Sequence, residues 1–374
     1  MARNVGIPQS ARLTLFFLVF AGLALALPAK SAVADNKGAP SVTITIDDTA
    51  VSRLIQLIDA KDDSDASIDS WMALPANQEL LKVGAAENDL TPEELRANVK
   101  AVIDGTATDQ SQPRYSMSRV LLEPLDEYRK MLDDLHAHES EWLALCEARD
   151  TQFAPPGTHI NQTVYLHVGG DWDAINRDGA IFINMAYFHD YYKPSWSGLD
   201  AIIAHETFHA VQNQVFGNPE SQDTSDEAFI TALSKIQREG TARFIEVDTD
   251  PGSYAPYTYG FFFRAVDNET LRNFPQDIPL LDTLYAACYP TLDKPKYADA
   301  VGAGLNNGGP YYDIGEGMVE AIYTYDHQNG LIDTVKKGPI AFFSRYIHLT
   351  DKHSELPKLP ADVASAVHSL SKKK

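Results

Sequence analysis

His205-Glu206-Thr207-Phe208-His209 holds the side chains in this sequence best spaced for chemistry. Two histidines four positions apart on a helix are separated by about 40° of rotation and about 6 Å of rise. Their imidazoles can therefore converge on one ion, as a tetrahedral Zn²⁺ site requires. Glu206 sits beside that face, where a carboxylate can take a proton from water without being a ligand. The reading is a metal-dependent hydrolase, and first of all a zinc peptidase.

That chemistry needs a helix under it. Leu199–Gly217 supplies apolar positions at Leu199, Ile202, Ile203, Phe208, Val211, Val215 and Phe216, the pattern of a buried helix. Ser197 is placed to cap it, with Asp200 three positions on, and Gly217 suits its end. Two histidines leave one protein ligand to find, because a hydrolytic zinc keeps its fourth position for water. Thr224-Ser225-Asp226-Glu227 opens a second strong helix over Asp226–Val247, which carries Glu239-Gly240-Thr241-Ala242. Glu239 is the candidate, and small neighbours would let its helix approach the histidine helix closely. His189, Asp190 and Asp200 are the alternatives, and Arg243 could instead pair with Glu239 at i+4.

Ahead of the histidine helix, Thr163–Val168 and Ala180–Tyr187 read as strands, separated by Gly169-Gly170 and a polar turn ending at Asp178-Gly179. An edge strand beside the metal would hold an extended substrate by main-chain hydrogen bonds. Further on, Asn306–Gly315 reads as a glycine-rich turn feeding a helix over Glu316–His327, with Gly330–Lys336 and Pro339–Tyr346 helical after it. A tyrosine there could donate to the oxyanion of amide hydrolysis, and Tyr312 is preferred over Tyr311.

The rest of the chain bounds the reading. Of its 374 residues, the first 34 resemble a secretory signal, with Arg3 and Arg12 before the apolar run Leu13–Leu27 and Ala32-Val33-Ala34 as a cleavage site. Export is expected, without stable membrane association after cleavage. The whole chain carries a net charge of −21, and loss of Arg3, Arg12 and Lys30 would leave −24. Such acidity argues against nucleic acid and anionic lipid as partners. Cys146 and Cys288 could form one disulfide or remain as thiols. The expected organisation is a signal over 1–34 and an N-terminal helical region over 35–155, led by a short strand at Ser41–Ile46. A catalytic domain over 156–350 and a polar tail over 351–374 follow. Within the helical region, Thr91-Pro92-Glu93-Glu94 opens one helix. Tyr115–Leu135 and His138–Arg149 read as a helical pair, with His136 and His138 at the surface.

HETFHAVQ followed by EGTARFIE, PYYDIGEGM and GPIAFFSRY resembles the gluzincin side of the zincin superfamily, in particular bacterial families of zinc-dependent peptidases with HExxH and a later EGxA. The resemblance covers about Val164–Tyr346. It implies an α+β, predominantly helical, zincin-like fold with a small sheet. It further implies one Zn²⁺ held by His205, His209 and Glu239, Glu206 as general base, and a peptide or protein substrate. The metzincin branch would need glycine at 212 and histidine or aspartate at 215, where this chain has Gln212 and Val215. Nor is there the Gly-Thr-x-Asp motif of the aspartate-ligand branch. The thermolysin pattern would need aspartate at 243, where Arg243 stands, so histidine orientation must come from elsewhere. Two rival functions remain: a zinc hydrolase of other amides or esters, and a binding protein built on the same scaffold.

Overall fold

A computed structural model describes residues 38–86, 90–107, 125–169, 174–177, 179–185, 199–217, 219, 221–246, 273–305 and 309–373 of the chain. They form an α+β fold dominated by helices, with one four-stranded sheet. The signal-like segment, His189, Asp190 and Ser197 lie outside the described residues.

Strand β1, Ser41–Asp47, alternates exposed and buried side chains, and turns Val42 and Ile44 into the core. It pairs in parallel with β2, His159–His167, from Ser41 opposite His159 to Asp47 opposite Tyr165. A parallel pair needs a long crossover. Here it is made by α1 (Thr49–Ala60), α2 (Asp65–Met72), α3 (Pro75–Ala86), α4 (Pro92–Ile103) and α5 (Leu125–Phe153). The N-terminal region is thus mostly helical but also contributes an edge of the sheet. Thr91 and Glu94 form a reciprocal capping box at the start of α4, with Pro92 in its first turn. The helical pair expected beyond residue 115 is one helix from Leu125 onward, and residues 115–124 lie outside the described part. His136 and His138 are at the surface.

The sheet order is β1-β2-β4-β3, with β4 at Ala180–Asn184 parallel to β2. The two strands expected beside the site are therefore interior neighbours, and neither is the edge next to it. That edge is β3, Ala174–Arg177, antiparallel to β4 and lying in the stretch read as a turn. Arg177 pairs with Ala180, the register of a tight hairpin, and Gly179 has the positive φ of 81° that such hairpins favour. Arg177 is also bonded at 3.0 Å to Glu79 of α3, which ties this short strand to the N-terminal helices.

The remaining helices are α6 (Leu199–Val215), α7 (Ser225–Glu246), α8 (Leu280–Cys288), α9 (Lys294–Leu305), α10 (Pro310–Lys337), α11 (Pro339–Thr350) and α12 (Ala361–Ser371). Helix α6 buries Ile202, Ile203, Phe208 and Val211, and stops at Gly217, whose φ is 84° and whose N–H reaches back to Gln212 and Asn213. Helix α7 opens on reciprocal bonds between Thr224 and Glu227. Residues 310–315, expected in a glycine-rich turn, already form the first turns of α10, because Pro310 has the φ that a helix start needs. A kink at His327 (φ 57°) divides α10 between the two helices read from the sequence.

The end of the chain is not a plain polar tail. Helix α12 buries Val363, Val367 and Leu370, and Lys373 reaches Asp226 at the start of α7 at 2.6 Å. Three apolar residues spaced by four and three make the docking stripe, which lysines around them obscure in composition. Cys146 and Cys288 are both buried and form no disulfide, and burial pushes the Cys288 thiol up to about 12, away from the reactive thiolate.

Two glycines set the distance between α7 and α10. A Cβ on Gly240 would stand 2.1 Å from the carbonyl carbon of Gly315, and one on Gly315 would stand 2.2 Å from the carbonyl oxygen of Ile236. The small residue after Glu239 therefore admits α10, whereas closeness to α6 was expected of it. A buried ion pair between Arg243 and Glu316, at 3.2 Å, closes the same contact. Arg243 is thereby taken by α10, where the sequence allowed it to pair with Glu239.

Candidate metal centre

Three elements bring the candidate side chains together. From α6, the rings of His205 and His209 stand 4.8 Å apart at 89°, both half-buried. From α7, Glu239 enters between them, its Oε2 lying 3.4 Å from Nε2 of His205 and 3.5 Å from Nε2 of His209. From α10, Tyr312 closes the cluster with its hydroxyl on Glu239. Ligand atoms of His205, Glu206 and His209 also lie within 4.8 Å of one another. Glu239 therefore brings a second carboxylate, from a separate helix, close to the same two imidazoles.

The spacing tests whether these residues suit zinc. Donors about 2.0–2.2 Å from a tetrahedral ion lie about 3.3–3.6 Å from each other. The two Nε2···Oε2 distances fall in that range. Each imidazole also presents the correct nitrogen. Nδ1 of His205 donates to Glu246 at 3.1 Å, and Nδ1 of His209 donates to Gln212 Oε1 at 2.9 Å, which turns the Nε2 edge of both rings toward Glu239. The Gln212 amide is itself oriented, since its Nε2 donates to the Arg238 carbonyl at 3.1 Å. Such partners fix ring orientation at metal sites.

Electrostatics favour positive charge at the same point. Burial pushes the His205 imidazole down, but the hydrogen bonds it donates to Glu239 and Glu246 and the charges of Glu246 and Glu206 outweigh it and hold the ring well above its ordinary value. Burial would raise the Glu239 carboxyl, yet the two histidines hold it well below the usual carboxylate range. Both partners move toward the charged form. For Tyr312, burial first and then Glu239 and Glu206 push the hydroxyl upward, so at neutral pH it is a neutral donor.

The cluster opens into a cleft lined by Ala174, Ile175 and Asn176 of β3, Asn213 of α6, and Lys235 and Arg238 of α7. Asn176 donates to the backbone carbonyl of Glu206 at 2.7 Å, which clamps the edge strand to the helix beside that carboxylate. Behind the site, α5 brings in Asp150, fully buried, whose carboxyl is pushed well up by burial against the opposing charges of Arg149 and His205.

Several of these residues were missed in the sequence. Glu246 is not singled out by the sequence pattern, although seven positions from Glu239 is two helical turns and puts both on one face. Gln212 was weighed only as the absence of a glycine. Asn176 belongs to the unrecognised strand, and Asp150 to a region to which no chemistry was assigned. Of the other candidate ligands, His189 and Asp190 lie outside the described residues.

Replacing Glu246 by Gln keeps the shape and removes the charge that holds the Nδ1 proton of His205. Zinc affinity should fall about tenfold with the far-ultraviolet spectrum intact, as read by competition with a chromophoric chelator. An unchanged dissociation constant would remove Glu246 from the orienting role.

With this geometry in place, comparison with known families is informative. Residues 68–355 match the family described as "Putative zinc dependent peptidase (DUF5700)", and the chain belongs to that family. Neither curated proteins nor solved structures give a match. The family description names both the metal and the reaction class, and it extends the likeness back to α2.

Proposed function

We propose that the protein is an exported zinc peptidase of the gluzincin type, with His205, His209 and Glu239 as ligands of one Zn²⁺ and Glu206 as general base. The observation that carries the proposal is the Glu239 carboxylate, brought by a separate helix to 3.4 and 3.5 Å from two correctly oriented imidazoles. Bound there, zinc would supply Lewis-acid activation of water and of the substrate carbonyl. Glu206, the neighbour of His205 on α6, accepts the proton of the attacking water and delivers it to the leaving amine. Tyr312, kept neutral by its surroundings, donates to the carbonyl oxygen as negative charge develops. Strand β3, at the end of the sheet and along the cleft wall, offers its backbone to an extended peptide. Export is supported by Arg3, Arg12, the run Leu13–Leu27 and Ala32-Val33-Ala34, and predicts a mature chain beginning at Asp35.

The test is metal analysis joined to a peptide-library digest. The purified chain should bind one zinc, cleave peptides in preference to an ester and amide panel, stop when the metal is chelated, and recover on adding zinc. Cleavage indifferent to chelation, or a chain that binds no zinc, defeats the proposal. Zinc binding without hydrolysis of any substrate would leave a binding protein.

A further inference from the structure

Helix α7 carries more than Glu239 into the cleft. Lys235 lies one turn before it and Arg238 immediately before it, so the three share a face that lines the site. Arg238 is already engaged: its guanidinium donates to the Gly217 carbonyl at 3.4 Å and stands beside Glu239 and Glu206. Lys235 differs. It is half-buried between the buried Ser234 and Ile236, and among the described residues no carboxylate lies within ion-pair distance of it. In a chain of net charge −21, a half-buried lysine that makes no ion pair, with Glu239 one turn away held instead by the two histidines, is unusual.

The local charge balance points the same way. The cleft's two carboxylates, Glu206 and Glu239, are matched by Lys235 and Arg238, so a bound divalent cation makes the cleft net positive. The acidic surface would repel an anionic peptide at long range, but that field is screened beyond about 8–10 Å. The four residues from Lys235 to Glu239 rise about 6 Å along the helix, and an extended peptide advances about 3.3–3.6 Å per residue. A group on Lys235 would then belong to a residue within two positions of the cleaved bond.

We propose that Lys235 is a specificity-determining residue that binds a carboxylate of the substrate close to the scissile bond, giving the enzyme a preference for acidic peptides. The inference rests on the peptidase reading and adds the substrate class to it. A carboxylate can come from a Glu or Asp side chain or from a free C-terminus, and both present the same planar anion.

The experiment uses zinc-loaded full-length protein and acetylated, amidated peptides in which each position in turn is Gln or Glu. A further neutral peptide carries a free C-terminus. Binding is read by fluorescence anisotropy in the Glu206→Gln background, and kcat/KM on the wild type. One position should show about a tenfold preference for Glu, or the free C-terminus should show it over the amide. The preference should shrink to below about twofold in Lys235→Met, reverse in Lys235→Glu, and weaken with salt. The two arms assign the carboxylate to a side chain or to the chain end. Equal binding of Glu and Gln peptides and of acid and amide overturns the inference, as does a preference that survives Lys235→Met. Neutral peptides cut as well as acidic ones would sink this inference and leave the peptidase reading standing. Failure to cut any peptide, with Lys235-dependent binding intact, would sink the peptidase reading and keep the anion subsite.

Discussion

Glu206→Gln should lower hydrolysis by about a thousandfold, within the usual range for removing a general base, while one zinc per chain stays bound. The amide keeps the size and position of the side chain but cannot accept a proton at neutral pH. A thousandfold loss corresponds to about 4 kcal/mol of transition-state stabilisation. The metal should remain because three other donors, His205, His209 and Glu239, converge without Glu206. Glu239→Ala separates the two roles, since it should lose zinc and activity together. The two variants are read by metal quantification beside kcat. Full activity in Glu206→Gln would remove it as base, and zinc retained at wild-type affinity in Glu239→Ala would remove it as ligand. Were Glu206 a ligand in place of Glu239, these results would exchange.

Gly240→Ala should cost about 3 kcal/mol, the upper end of what adding a methyl to a packed core costs. The added carbon would meet Gly315 at 2.1 and 2.3 Å and the Glu316 nitrogen at 2.4 Å. These are backbone atoms on a long helix, so no rotamer change relieves the clash. The helices must separate, which also strains the Arg243–Glu316 pair. For a chain of this size the midpoint of thermal unfolding should drop by roughly 4 °C. Because Glu239 precedes Gly240 and Tyr312 lies one turn before Gly315, the separation should also loosen the Tyr312 hydrogen bond to Glu239. A melting point within a degree of wild type would mean the contact is softer than the backbone positions imply.

Much of the candidate site was legible because its pattern is local. His205 and His209 converge through the helical period alone, and the apolar residues around them declare the helix. Glu239 could be proposed because a helix start at Thr224 and small residues at Gly240 and Ala242 framed it. The reason given for its approach was nonetheless misplaced: Gly240 faces α10, and Arg243 is held by Glu316. Strand β3 was missed because four residues with intermediate exposure carry no alternation, although Asp178-Gly179 was the available hairpin signal. The C-terminal helix was missed because its apolar stripe is only three residues long.

By itself the sequence determined the predominantly helical class, the helix bearing both histidines, and the residue types able to bind zinc and move a proton. These depend on period and capping, which operate within a few residues. Only the tertiary structure decided which carboxylate faces the imidazoles and which group holds each Nδ1. It also decided that β3 and Tyr312 wall the cleft and that Lys235 stands in it with no described carboxylate at ion-pair distance. Such facts depend on how separate helices rotate and approach, and that is set by contacts such as Gly240 on Gly315, between residues 75 positions apart.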